Sequence, residues 1–345
     1  MRLSTRMLAV LALLAVPSFI LAAPSDPARD LKVGNVATRL KAVDTIRRKG
    51  GPDAESLLLT ALGDADWEVA GRAAEALADH GAKKSMKPLA ALATRGQVRR
   101  IRLAAARSLA KLDPDDGAKR LGKVLRRDEA AHAAEGLGIL ARQSEGAEVP
   151  QLRKAVQKAI KAKEGAVRAA ATGALRAFPP EERPERLARF LADEDLRVVG
   201  AALDYVRVDP DASYLPAVLS LLDVPSINDV IARRVIAAVE VLLPLVEEGE
   251  ATTAAIARLD AMLQGAKAPA TAAWLARLLG RLAAPRPQPD AGGEVDDEAP
   301  GPPPPPLPPD TALGLLEHAL GHAGEAARAE AVRTLGLIGT DAAVE

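Results

Sequence analysis

Apolar and polar positions along this chain follow one helical rhythm that keeps returning. Each return opens with a small or branched residue, runs through Ala-rich turns, and reaches an apolar residue eight places on. It reads TRLKAVDTI (Thr38–Ile46), VAGRAAEAL (Val69–Leu77), IRLAAARSL (Ile101–Leu109), EAAHAAEGL (Glu129–Leu137) and VRAAATGAL (Val167–Leu175). Looser copies are LRVVGAALDYV (Leu196–Val206), IARRVIAAV (Ile231–Val239), TAAWLARLL (Thr271–Leu279) and ARAEAVRTL (Ala327–Leu335). The anchors Ile46, Leu77, Leu109 and Leu137 lie 31, 32 and 28 residues apart, and Leu175 follows after 38. Apolar positions recurring at such spacing mark one buried stripe on an amphipathic helix.

Between these segments lie others with Leu at helical spacing, among them ESLLLTALGD, MKPLAALATRG, GAKRLGKVLRRD, VPQLRKAVQKAIKAK and PERLARFLADED. YLPAVLSLLDV (Tyr214–Val224), TTAAIARLDAMLQG and TALGLLEHALGH continue the series. Turns rich in Gly, Asp and Pro separate the partners, such as GGPD, DPDDG and FPPEE, and each can stop one helix or cap the next. No heptad persists, which sets aside a coiled coil. The pattern predicts an all-α chain, an alpha-solenoid of about eight stacked antiparallel helix pairs. One pair cannot bury its stripe alone, whereas stacked pairs share a thin continuous core. The recurrent Ala lets neighbouring helices approach closely.

DWEVAGRAAEALADHG (Asp66–Gly81) and GAVRAAATGAL (Gly165–Leu175) carry a resemblance to the HEAT-repeat family, in the variant common in bacteria. Asp66, Val69, Ala73 and Leu77 sit on the family pattern, with Ala70 where Arg is usual. Val167, Arg168, Ala171 and Leu175 also sit on it, with no Asp ahead of them; Ile101-Arg102, Leu196-Arg197 and Ala327-Arg328 match more loosely. The resemblance covers most of Val33 to Thr340. It implies that the second helix of each pair lines a concave side that engages a partner. It is nearly silent on which partner, since one scaffold hosts many activities.

The two ends alter this picture. Arg2 and Arg6 precede an apolar run, Met7 to Leu21, and Ala22-Ala23 before Pro24, the order of a secretory signal peptide cleaved near Ala23. The run is short for a membrane span and Pro17 interrupts it. The expectation is an exported protein, periplasmic or extracellular: residues 1–23 as leader, 31–284 as repeat array, 285–310 as linker or loop, and 311–345 as a terminal helix pair. Pro285 to Asp310 holds six acidic residues after Arg286 and a Pro run that reads as a solvated polyproline II rod. That rod reads as a spacer or as a ligand for an aromatic-lined groove. No polar end cap closes TDAAVE, which leaves self-association through the terminal repeat open.

Composition narrows the chemistry. Cys is absent, which excludes thiol, Cys-zinc and iron–sulfur chemistry, and aromatics are 2% of the chain. His318 and His322 are four apart, but a metal needs three or four ligands, and Ala319 follows His318 where a metalloprotease helix has Glu. His80 precedes Gly81 and reads as part of a helix end. No G-x-S-x-G elbow, P-loop or dinucleotide-binding glycine set occurs. The expectation is no enzymatic activity, no catalytic residue, no metal and no cofactor.

Charge supplies the remaining signal. The chain balances 46 Lys and Arg against 46 Asp and Glu, yet Gly81 to Asp128 holds fourteen Lys or Arg against four Asp and no Glu. Within VRRIRLAAARSLAKL (Val98–Leu112), 100° per residue puts Val98, Ile101, Ala105, Leu109 and Leu112 on one buried face. Arg102 recurs as Arg39, Arg168 and Arg328, which points to a hydrogen bond or ion pair with an Asp or carbonyl of a neighbouring repeat. Arg99, Arg100 and Arg107 have no such counterpart. They are the candidate partner-binding residues, either an electropositive patch for an acidic protein surface or a solvated face. Nucleic acid is disfavoured by the export signal and by the shortage of aromatics for stacking. The functional expectation is a protein–protein interaction or scaffolding module. The alternatives are a binder of an anionic polymer or surface, and a HEAT-like lyase or hydrolase accessory subunit.

Overall fold

The computed structural model describes residues 26–221 and 228–245, and beyond them positions 257, 258, 261, 273, 275, 276, 328, 329 and 331–333. The expected leader, the Pro-rich linker, His318 and His322 lie outside these residues, as does all but a few positions of the expected terminal pair. Among the described residues the chain is all helix and turn. The helices are α1 (Pro27–Val33), α2 (Val36–Lys49), α3 (Ala54–Ala61), α4 (Trp67–Asp79), α5 (Met86–Arg95), α6 (Arg99–Leu112) and α7 (Pro114–Val124). They continue as α8 (Ala130–Gln143), α9 (Pro150–Ile160), α10 (Gly165–Ala171), α11 (Arg183–Leu191), α12 (Leu196–Val208), α13 (Leu215–Ser220) and α14 (Asp229–Leu242). Odd-numbered helices are the first of each pair and even-numbered the second.

Helix boundaries follow local chemistry. Asp and Asn side chains accept backbone N–H groups at the starts of α1, α2, α4, α7, α12 and α14. Pro114 and Pro150 open α7 and α9, where the missing N–H costs nothing. His80 ends α4 in right-handed geometry and Gly81 follows at φ +64°, so the Ala82 N–H reaches back to the Leu77 carbonyl at 3.1 Å.

The chain divides at Ala82/Lys83 into two compact units. In the first, α1 packs on α2, α3 on α4, and α2 on α4. In the second, each first helix packs on its partner, and the second helices form a row, α6 on α8, α8 on α10, α10 on α12, α12 on α14. The sequence anchors lie in these cores: Leu77, Leu109, Leu137, Leu175, Val206 and Val239 are fully buried. So are Ala73, Ala105, Ala133 and Ala202, one helical turn before four of them. Small residues set the spacing: a Cβ on Gly138 of α8 would lie 3.3 Å from the backbone of Gly173.

Three details depart from the sequence reading. Helix α1 starts at Pro27, ahead of the expected array. The second helix of the fifth pair tightens into a 3-10 turn over Thr172–Ala177, where Gly173 follows Thr172 and offers no side chain to hold α-helical packing. Val98 is 39% exposed instead of joining the buried stripe, because it is the N-cap of α6 and its extended backbone takes its side chain off the helical face.

Candidate functional site

Helix α6 carries the candidate residues. Its buried surface is broader than one stripe, since Ala104, Ala106, Ser108 and Ala110 are buried beside Ile101, Ala105 and Leu109. A helix held on three sides leaves a narrow outward strip, and Arg99, Arg100 and Arg107 are exposed on it. Arg99 donates from Nε to Glu135 of α8 at 2.5 Å while its side chain stays 70% exposed. Arg100 and Arg107 are seven residues apart, two turns along one flank. Arg99 therefore has a carboxylate in the neighbouring pair. An exposed pair of this kind is worth little and exchanges readily for another partner.

Arg102 belongs to a different device. Arg39 of α2 clamps Asp64 through Nε and Nη2 at 2.7 and 2.9 Å, and its Nη1 donates to the Gly34 carbonyl at 2.8 Å. Arg168 of α10 clamps Asp193 at 2.7 and 2.8 Å and caps the Ala162 and Lys163 carbonyls. The guanidinium thus ties the end of its own first helix to the turn before the next second helix. The sequence analysis expected an Asp or a carbonyl of a neighbouring repeat. The Asp lies in the next pair, while the carbonyls belong to the arginine's own pair. Hydrogen bonds from Arg168 hold the Asp193 carboxyl below the usual carboxylate range. At Asp64 burial pushes the value up, but the Arg39 hydrogen bond, the Asp66 backbone N–H and the Arg39 charge together bring it below the usual carboxylate range. Arg102 keeps only half of this arrangement. Its Nη1 donates to the Gly96 carbonyl at 3.0 Å, Nη2 stands 3.7 Å from Glu135, and the buried Nε has no hydrogen-bond partner.

The remaining basic residues divide by element. Lys119 and Lys123 of α7, and Lys154 of α9, are exposed on first helices. Lys158 donates to the Gly122 carbonyl at 2.8 Å, and burial with the nearby Arg126 charge lowers its pKa. The positive segment is therefore spread over both faces of its repeats.

A second polar cluster carried no sequence signal. Arg176 clamps Asp209 at 3.0 and 2.5 Å and reaches Glu145 at 2.9 Å, which also takes Arg183 at 3.0 Å. Tyr205 donates to Asp209 at 2.6 Å, and burial followed by that bond drives its pKa far upward. The cluster borders a cleft of about 220 Å³ between second helices, lined also by Arg142, Gly173, Asp204 and Val208. Its Arg–carboxylate partners lie 31 to 38 residues apart in the sequence, across turns whose length varies, so no local motif announces them.

His132 sets Nδ1 2.9 Å from the Thr94 carbonyl, a contact between pairs. Among the described residues no group of three or more His, Asp or Glu is placed to hold a metal ion, and no helix is long and apolar enough to cross a membrane.

The HEAT-repeat family model matches residues 31–110. No curated protein sequence matches the chain. Similar solved structures include the CpcE–CpcF complex of phycocyanin lyase from Nostoc sp. PCC7120, at 18% identity and TM-score 0.33, covering 72% of this chain and 99% of that one. A structure of Kap95p with RanGDP matches at 13% identity and TM-score 0.48, over 90% of this chain and 51% of that one. Human deoxyhypusine hydroxylase matches at 19% identity and TM-score 0.32, over 90% and 94%. Together with the paired helices described above, the match over residues 31–110 identifies the fold as an all-α, HEAT-like solenoid.

Proposed function

We propose that this protein is an exported scaffold that binds another protein through the outward strip of its second helices, with no catalytic activity of its own. The observation that carries the reading is the outward strip of α6. It exposes Arg99, Arg100 and Arg107, and none of the three fills the carbonyl-capping position that Arg39, Arg102 and Arg168 occupy. The partner it fits has an acidic surface, because complementary charge steers association and fixes register. Export rests on Arg2, Arg6 and the apolar run Met7 to Leu21 ahead of Ala22-Ala23.

The test is affinity capture from an extract of the source cell's envelope, with the chain from Pro24 onward as bait beside its Arg99→Glu, Arg100→Glu, Arg107→Glu variant. The expected result is at least one abundant partner held by the parent and lost by the variant. Equal recovery of every partner by both would overturn the assignment of these three residues.

A further inference from the structure

Among the fully described second helices, three carry an Arg seven residues before their anchor, and each seats its guanidinium against the end of its own first helix. In two of the three, the Nε/Nη2 edge is filled by an Asp standing two residues before the N-cap of the next second helix. Asp64 stands so before Asp66, and Asp193 before Asp195. Each of these Asp residues also accepts the backbone N–H of that N-cap, at 2.8 and 2.9 Å. The third copy has the same register, since Arg102 lies 27 residues before the N-cap Glu129, as Arg39 does before Asp66 and Arg168 before Asp195. Two residues before Glu129, however, stands Arg127, exposed and opposite in charge.

The consequence is visible at Arg102. Its side chain is 11% exposed, its Nε is buried without a partner, and the nearest carboxylate, Glu135, is already held by Arg99. Leaving a buried charged donor unsatisfied is costly. The exchange of Asp for Arg also adds a second cation where the other copies supply an anion. We infer that the Nε/Nη2 edge of Arg102, in the copy where Arg127 takes the register position of Asp64 and Asp193, is a seat for a carboxylate side chain from an acidic peptide segment of a partner. This rests on the proposed protein-binding role and adds a specific seat to it. The internal copies define the ligand chemistry: Asp64 and Asp193 each present two coplanar oxygens to one guanidinium edge, a fork that a carboxylate matches. Turn residues Arg126, Arg127 and Asp128 are all exposed.

The experiment measures binding of a fluorescein-labelled oligo-glutamate peptide to the chain from Pro24 onward by fluorescence anisotropy, at about 0.15 M salt to screen diffuse attraction. Arg127→Asp restores the internal acceptor of the other two copies. It is expected to raise the midpoint of urea unfolding while weakening peptide binding about tenfold or more. Arg102→Gln, which removes the fork, is expected to weaken binding similarly without that gain in stability. Lys119→Asp makes the same charge change on a first helix and is expected to alter binding less than about threefold. Equal weakening by Arg127→Asp and Lys119→Asp would overturn the seat in favour of diffuse charge. Lack of binding by the parent chain would overturn it too, while leaving the capture experiment to decide the wider role. Loss of binding on changing Arg99, Arg100 and Arg107 to Glu, with Arg127→Asp unaffected, would assign the peptide to the outward strip instead of the seat.

Discussion

Arg39 and Arg168 do one job and Arg99 another, and their contacts tell which. Arg39 and Arg168 are largely buried and doubly clamped, whereas Arg99 lies mostly in solvent with one exchangeable partner. Asp193→Asn leaves Arg168 without its clamping carboxylate and is expected to cost about 2 kcal/mol of stability, measured by urea unfolding. The same pair sets an acid limb. The Asp193 pKa is lowered on folding, so its contribution is complete above the ordinary value of 3.8 and is lost as pH falls through the lowered folded value. The parent is therefore expected to lose stability more steeply below about pH 4 than Asp193→Asn, and chemical unfolding across that range compares the slopes. The recurrence of Arg39, Arg102 and Arg168 was legible in the sequence as a structural role. Their acceptors were not, because Asp64 and Asp193 belong to the turn of the following pair, 25 residues on.

At the scale of the element, the spacing of Leu and Ala told which face is buried, and the anchors lie where that spacing puts them. Leu109→Ala removes a fully buried side chain from a helix packed on three sides and is expected to cost about 3 kcal/mol, again read from urea unfolding. Gly138 was not legible as a packing residue, since Gly in a helix reads as a weak point until its neighbour is known. The neighbour is the backbone of Gly173, which has no side chain to yield. Gly138→Leu is thus expected to destabilise by about 2 kcal/mol despite the better helix propensity of Leu. Val98 and the tightened turn at Thr172–Ala177 escaped the periodicity for a related reason. A 100° wheel assumes an ideal helix up to its ends, and both positions are where the helix stops being one.

For the whole molecule, repetition and its breaches carry different information. The repeats specify HEAT-like stacking, in which, within each unit, a second helix packs on the next and stability adds along the row. Function is read from what the repeats do not require: the arginines of the outward strip on α6, and the missing carboxylate at Arg127. The central claim is that the second-helix side, and not the first-helix side, meets the partner. Site-specific photocrosslinking tests it most directly, with benzoylphenylalanine replacing Arg107 on α6 in one sample and Lys119 on α7 in another, each exposed to the same envelope extract. The expected result is a covalent adduct with a partner protein from position 107 and none from position 119. Adducts from position 119 alone would contradict the account.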